Sequence, residues 1–227
     1  MKGIVFTLLW SCVAFGAESK CREDVSPSLE HDAASLVVAT LNLAHGRGRA
    51  LNQMLIGKQQ IGRNLDAAGR LLARQGANVV ALQELDVDSL WAGSFDHAAR
   101  LVEAAELNCT VLGLHAETWL YRFGTALLSE VQLIEPRITS FDPTPPTTTK
   151  GFVSATLQWR DGGELRPVRV VSAHLDFSRK GARRQQLADI IEVINRSPIP
   201  IILMGDFKEE WLPDDSVVRR LVDEAGM

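Results

Sequence analysis

The chain has 227 residues, 46% of them hydrophobic and 23% charged, which is enough apolar content for one sizeable core in a single domain. Its net charge of -4 shows no basic excess. That balance argues against a protein that grips nucleic acid nonspecifically through many phosphates, and leaves a small phosphoester substrate open. The chain starts with Lys2, an apolar run from Ile4 to Ala14, and small residues in Ala14-Phe15-Gly16. The run is too short to span a bilayer, so the pattern predicts a signal peptide over residues 1–16 and a secreted or periplasmic protein. A buried strand or helix is the alternative, and Trp10 counts against a lipoprotein signal ending at Cys12. Residues 17–34 are polar and read as a loose leader, and residues 35–227 as the domain. Outside the signal, Cys21 and Cys109 are too few for a disulfide framework and not spaced as a zinc site; in an exported protein they could pair, which the sequence leaves open.

A regular alternation follows. Leu36 to Leu41 reads as a buried strand. Asn64 can cap a helix with apolar positions Leu65, Ala68, Leu71 and Leu72, ended by Gly76. Asn78 to Leu82 is the next buried strand, and Ser94 can cap a second helix. Cys109–Leu114, Ala126–Leu128 and Val131–Ile134 read as strands, and 143–150 as a Pro/Thr-rich loop. Val153, Ala155, Leu157 and Trp159 alternate with polar residues, as a half-exposed antiparallel strand does. Asp161-Gly162-Gly163 turns the chain into a return strand through Val168 and Val170. Arg183–Asn195 is an amphipathic helix, Pro200–Met204 a buried strand and Asp214–Ala225 a last helix. The pattern is α/β, with sheets packed inside helices.

Several polar residues follow buried strands, where loops place reactive groups on a rigid scaffold. They are Asn42, Glu84 (after Gln83), His174 and Asp176 (around Leu175), and Asp206 (after Gly205). Singly, each has a bland reading as a turn former, a helix cap or a satisfied histidine. Together, the carboxylates, amide and imidazole suit a hard divalent cation, which takes oxygen ligands and needs only one or two carboxylates. Glu84 is the best first ligand, and Asn42 can orient it or join the coordination shell. His174 can donate to a phosphate in the transition state, and Asp206 can orient an attacking water.

The ordered series Asn42, Gln83-Glu84, Gly124-Thr125-Ala126-Leu127-Leu128-Ser129, His174-Leu175-Asp176 and Gly205-Asp206-Phe207 resembles the motifs of the endonuclease/exonuclease/phosphatase (DNase I-like) superfamily. The resemblance runs from about Leu36 to the end of the chain. His45-Gly46-Arg47-Gly48 is similar to a histidine-glycine segment of bacterial members. The resemblance implies a four-layer α/β sandwich of two packed mixed β-sheets flanked by helices. It further implies Mg²⁺ or Mn²⁺ and attack of water on a phosphoester. Asn42 and Glu84 match metal-site residues, His174 the phosphate-contacting histidine and Asp206 the water-orienting aspartate. Asp176 and Lys208 complete the candidate catalytic set, while Arg47, His45 and Asp86 lie where they can shape the substrate pocket. Candidate substrates are nucleic acid, phospholipid head groups and inositol phosphates.

The sequence departs from this pattern in two places. The family's glycine-aspartate-phenylalanine-asparagine segment has Lys208 in its last place. A lysine only donates, but its charge suits a phosphate, and it could equally pair with Glu209 or Glu210 away from the site. The family's late serine-aspartate-histidine motif does not occur, and no histidine follows Asp206. The sequence therefore reads as lacking the last strands and the general base. That predicts weak or no turnover, and it keeps open a noncatalytic binding or scaffold protein that retains the fold.

Overall fold

Apolar side chains on both faces of a strand require a layer on each side of the sheet. In a computed structural model, described over residues 17–30, 35–53, 56–161, 163–208 and 216–225, these strands pair into two sheets. The first has the order β1(Glu18–Cys21)-β5(Cys109–Glu117)-β6(Arg122–Ser129)-β4(Val79–Asp86)-β3(Val38–Asn42). The second has the order β10(Ile201–Asp206)-β9(Glu164–His174)-β8(Gly151–Asp161)-β2(Leu29–Glu30), with β7(Ile134–Ser140) also paired to β8. Helices α1(Lys58–Arg74) and α2(His97–Ala104) cover the first sheet, and α3(Lys180–Asn195) and α4(Val217–Ala225) the second.

Three apolar clusters fill the spaces between the four layers. Val80 and Leu82 of β4 face α1 and α2 with Ile61, Leu65, Leu72 and Leu101. The alternate residues Val79 and Ala81 face the other sheet with Val111, Val153, Leu157 and Val170. Val171 and Ala173 of β9 face α3 and α4 with Leu187, Ile190 and Leu221. The period-two alternation along β4 and β9 thus sets the layers. Polar groups also tie the sheets together: Gln83 Nε2 donates to Ser172 Oγ at 3.0 Å, and Ser172 Oγ donates to Leu82 O at 2.9 Å. Two packed mixed sheets flanked by helices are the architecture expected from the sequence.

Several local expectations need correction. Residues 17–34 are not wholly loose. Glu18–Cys21 pairs antiparallel with β5, Leu29–Glu30 pairs with β8, and Cys21 is disulfide-bonded to its register partner Cys109. α1 begins at Lys58 after an N-cap Gly57 that has no side-chain cap, so Asn64 lies inside the helix. Asn64 instead donates to Gly46 O at 2.9 Å. α2 is capped by Asp96, which accepts from Ala99 N at 3.1 Å, and not by Ser94. Val131 and Leu133 are core residues that precede β7. Residues 1–16, with the expected signal peptide and Cys12, lie outside the described residues, as do Glu209 and Glu210.

Candidate active site

Parallel pairing aligns the ends of neighbouring strands. Asn42, the last residue of β3, is in register with Gln83, and Asp206, the last of β10, with His174, the last of β9. Glu84 sits at a bulge where β4 and β6 shift register between Gln83 and Leu85. Its φ of 52 is in the left-handed region, a conformation that costs about 1 kcal/mol or more for a non-glycine residue and turns the side chain out of the alternation. The segment Gly124–Ser129 lies within β6, the neighbour that supports this bulge. At Gly124 a Cβ would collide with Gly113 O, so the close approach of β5 and β6 demands glycine there.

These strand ends bring ligand atoms of Glu84, His174 and Asp206 within 4.8 Å of one another. Asn42 Nδ2 donates to Glu84 Oε1 at 3.0 Å and to Asp206 Oδ2 at 2.6 Å, while its Oδ1 accepts from Ala44 N at 2.8 Å. Asn42 therefore fixes both carboxylates. Lys208 Nζ lies 2.5 Å from Asp206 Oδ2 and 3.7 Å from Glu84 Oε1. Its side chain therefore lies within the cluster. His45 joins through Nε2, 3.6 Å from Glu84 Oε2, and its Nδ1 meets the buried Asp86 Oδ2 at 2.6 Å. Trp91 Nε1 donates to the other Asp86 oxygen at 2.8 Å. A cleft of about 350 Å³ beside the cluster is lined by Asn42, Asp206, Phe207 and Lys208. A larger cavity, about 510 Å³, lies between β1, β5 and α2 and includes none of the cluster residues.

Not every candidate joins. The Asp176 carboxylate accepts from Thr144 Oγ1 at 2.8 Å, Thr147 Oγ1 at 2.7 Å, Ser178 N at 2.8 Å and Arg179 N at 3.0 Å. It anchors the loop before α3 to the 143–150 loop. Among the described residues, no hydrogen bond or ion pair links the Arg47 side chain to the cluster. Two groups carried no local signal. Lys150 is buried, with Nζ 5.6 Å from the Phe123 ring centre, and feels the charges of Glu84, Asp176 and Asp206. His115 is held between Thr125 Oγ1 (2.9 Å) and Ser140 Oγ (3.1 Å).

Burial sets most of the protonation chemistry. It pushes the His174 imidazole down to about 3, with the Lys150 charge adding to the effect. His174 is therefore neutral at neutral pH, and its Nε2 is buried without a hydrogen-bond partner. Burial likewise pushes Lys150 below the usual lysine range. It would raise the Glu84 carboxyl, but the Asn42 hydrogen bond and the positive groups nearby, Lys208 among them, outweigh it and leave the group lowered. Burial would raise Asp206 too, and bonds from Lys208 and Asn42 again win. The two carboxylates are thus held ionised side by side, the state in which oxygen atoms serve as cation ligands.

A family model for the Endonuclease/Exonuclease/phosphatase family matches residues 39–207. The chain belongs to that family. No curated protein matches the sequence. Among solved structures, an endonuclease/exonuclease/phosphatase family protein from Leptotrichia buccalis C-1013-b aligns with TM-score 0.60 at 17% identity, over 84% of this chain and 74% of that one. Sphingomyelinase C from Streptomyces griseocarneus aligns with TM-score 0.56 at 18% identity, over 85% and 70%. D. rerio TDP2 complexed with single strand DNA product aligns with TM-score 0.52 at 18% identity, over 86% and 66%. At such identities these likenesses speak for the fold.

Proposed function

We propose that this protein is a divalent-metal-dependent phosphoester hydrolase that works at the Glu84–His174–Asp206 cluster. The observation that carries the proposal is the convergence of two ionised carboxylates on the buried, unpartnered Nε2 of a neutral histidine. The donor set fits a metal: the carboxylate oxygens suit Mg²⁺ or Mn²⁺, and Asn42 holds both in place. Glu84 would be the principal ligand, with Asp206 beside it, while Asn42, its Oδ1 taken by Ala44 N, orients both carboxylates. A cation held there neutralises charge on a phosphate and polarises its P–O bonds. His174 Nε2 would hydrogen-bond a phosphate oxygen, a bond that the neutral ring can strengthen as negative charge develops. Asp206 would orient the attacking water, and the buried Lys150 ammonium would add positive charge near the carboxylates. His45, steered by Asp86 and packed 5.2 Å from the Trp91 ring, stands 3.6 Å from Glu84.

A phosphoester presented at a lipid surface is the favoured substrate class. The turn between β5 and β6 lies at the same end of the sheet as Asp86, since Asp86 pairs with Phe123 and Glu117 with Arg122. This turn carries Trp119 at 83% exposure, and the adjacent turn carries Leu90 at 55%. The two turns are joined by the bond Leu90 N to Leu120 O at 2.9 Å. Exposed apolar tips beside a catalytic cleft suit a head group held in a membrane, and the net charge of -4 gives no basic footprint for duplex DNA. Export is supported by the apolar N-terminal run and by the Cys21–Cys109 disulfide, a bond that persists in oxidising compartments.

The test is turnover of phospholipid vesicles, oligonucleotides and a soluble phosphodiester, each with Mg²⁺ or Mn²⁺ and with chelator. Metal-dependent release of phosphorylated head group, above that from the other substrates, is the expected result. Cleavage that ignores chelation would remove the metal from the account, and preference for oligonucleotides would remove the lipid.

A further inference from the structure

Lys208 stands where the resembling family has asparagine. Its φ of 54 is in the left-handed region, which asparagine tolerates and lysine adopts only at a cost. Its backbone N–H donates to Asp206 Oδ1 at 3.1 Å, closing a turn that carries the side chain back over the carboxylates. Nζ lies 2.5 Å from Asp206 Oδ2 and 3.7 Å from Glu84 Oε1. Both are carboxylates of the candidate metal cluster. Each of the two also accepts from Asn42, but that amide is neutral and can stay beside a bound cation. The lysine cannot, because its positive charge occupies the space in which the acidic oxygens converge. A divalent ion and an ammonium at such separations repel strongly where solvent screening is partial, and the Lys208 side chain is only 25% exposed.

We propose that Lys208 is a built-in competitor for the cation position: its ammonium neutralises Glu84 and Asp206 when no metal is bound and must swing out before a divalent ion can enter. The affinity of the site for metal is then set by this displacement as well as by the ligands. The inference rests on the reading of the cluster as a metal site.

The test is calorimetric titration of the full chain with Mn²⁺, comparing the wild type with Lys208→Met and Lys208→Arg. Methionine keeps the length and the backbone demand while removing the charge, and arginine keeps the charge. Lys208→Met is expected to bind Mn²⁺ at least about tenfold more tightly, a change of about 1.4 kcal/mol, with Lys208→Arg close to wild type. Methionine and wild-type proteins with the same Kd, or a weaker methionine variant, would overturn the competitor role and leave the metal site standing. Absence of Mn²⁺ binding in all three would overturn both. Should circular dichroism show Lys208→Met unfolded, Lys208→Asn, whose side chain suits the left-handed backbone, replaces it with the same expectations.

Discussion

Lowering the pH from 7 to 5 is expected to destabilise the metal-free protein through histidines that the fold keeps neutral. Burial, with help from Lys150, holds His174 at about 3. Burial, with help from His174, does the same to His115 at about 3. In the unfolded chain each takes up its proton near pH 6.5. Between those limits the unfolded state binds more protons, so stability rises with pH across the window and is lost as pH falls through it. For one such histidine the loss between pH 7 and pH 5 is about 2 kcal/mol, and His115 and the buried His97, whose imidazole burial also lowers, add to it. The lowered carboxyl groups of Glu84, Asp176 and Asp206 titrate below this range, which leaves the histidine effect visible by itself. Urea unfolding in chelator at pH 7 and pH 5 measures the change, and His174→Gln should remove about 2 kcal/mol of it. An unchanged pH dependence in His174→Gln would refute the burial argument for that ring.

The Cys21–Cys109 bond closes a loop of sequence separation 88, so its loss in Cys21→Ser/Cys109→Ser is expected to lower the unfolding free energy by about 2–4 kcal/mol, read by denaturant melts against wild type. Asp176→Asn withdraws charged acceptors from Thr144, Thr147, Ser178 and Arg179, and should cost about 2 kcal/mol of stability. That variant should also flatten the acid limb of the stability profile. Burial raises the Asp176 carboxyl, but its hydrogen bonds hold it well below the carboxylate range, so its contribution is present above about pH 4 and lost below it.

Much of the fold was legible because β4, β8 and β9 are strongly apolar and end in polar residues. Asn42, Glu84, His174 and Asp206 were found for the same reason: each stands at or just before the point where an apolar strand gives way to a loop. The edge strand β1 was not legible, although β3 and β10, also at sheet edges, were. β1 is exposed along most of its length and is held by backbone pairing and a disulfide, which leave no apolar pattern. The start of α1 was misplaced because Gly57 offers no capping side chain, whereas Asn64 looks like a cap and serves as a tether to Gly46. β7 carries Pro136 within a register irregularity, so its propensity signal was weak. Lys150 and His115 became visible only in three dimensions, because burial beside a distant strand end has no signature in local sequence. Asp176 was found because it follows a buried strand together with His174, but that position did not reveal that its oxygens serve the loop.

The central claim is that Glu84 holds a cation on which phosphoester cleavage depends. The most direct measurement is the initial rate of phosphodiester cleavage as Mg²⁺ or Mn²⁺ is titrated into chelator-treated protein, for wild type and Glu84→Gln, with folding of both checked by circular dichroism. A saturable rise is expected for wild type, and a Glu84→Gln rate lower by about a hundredfold or more with a shifted metal midpoint. Equal rates and midpoints for the two folded proteins would contradict it.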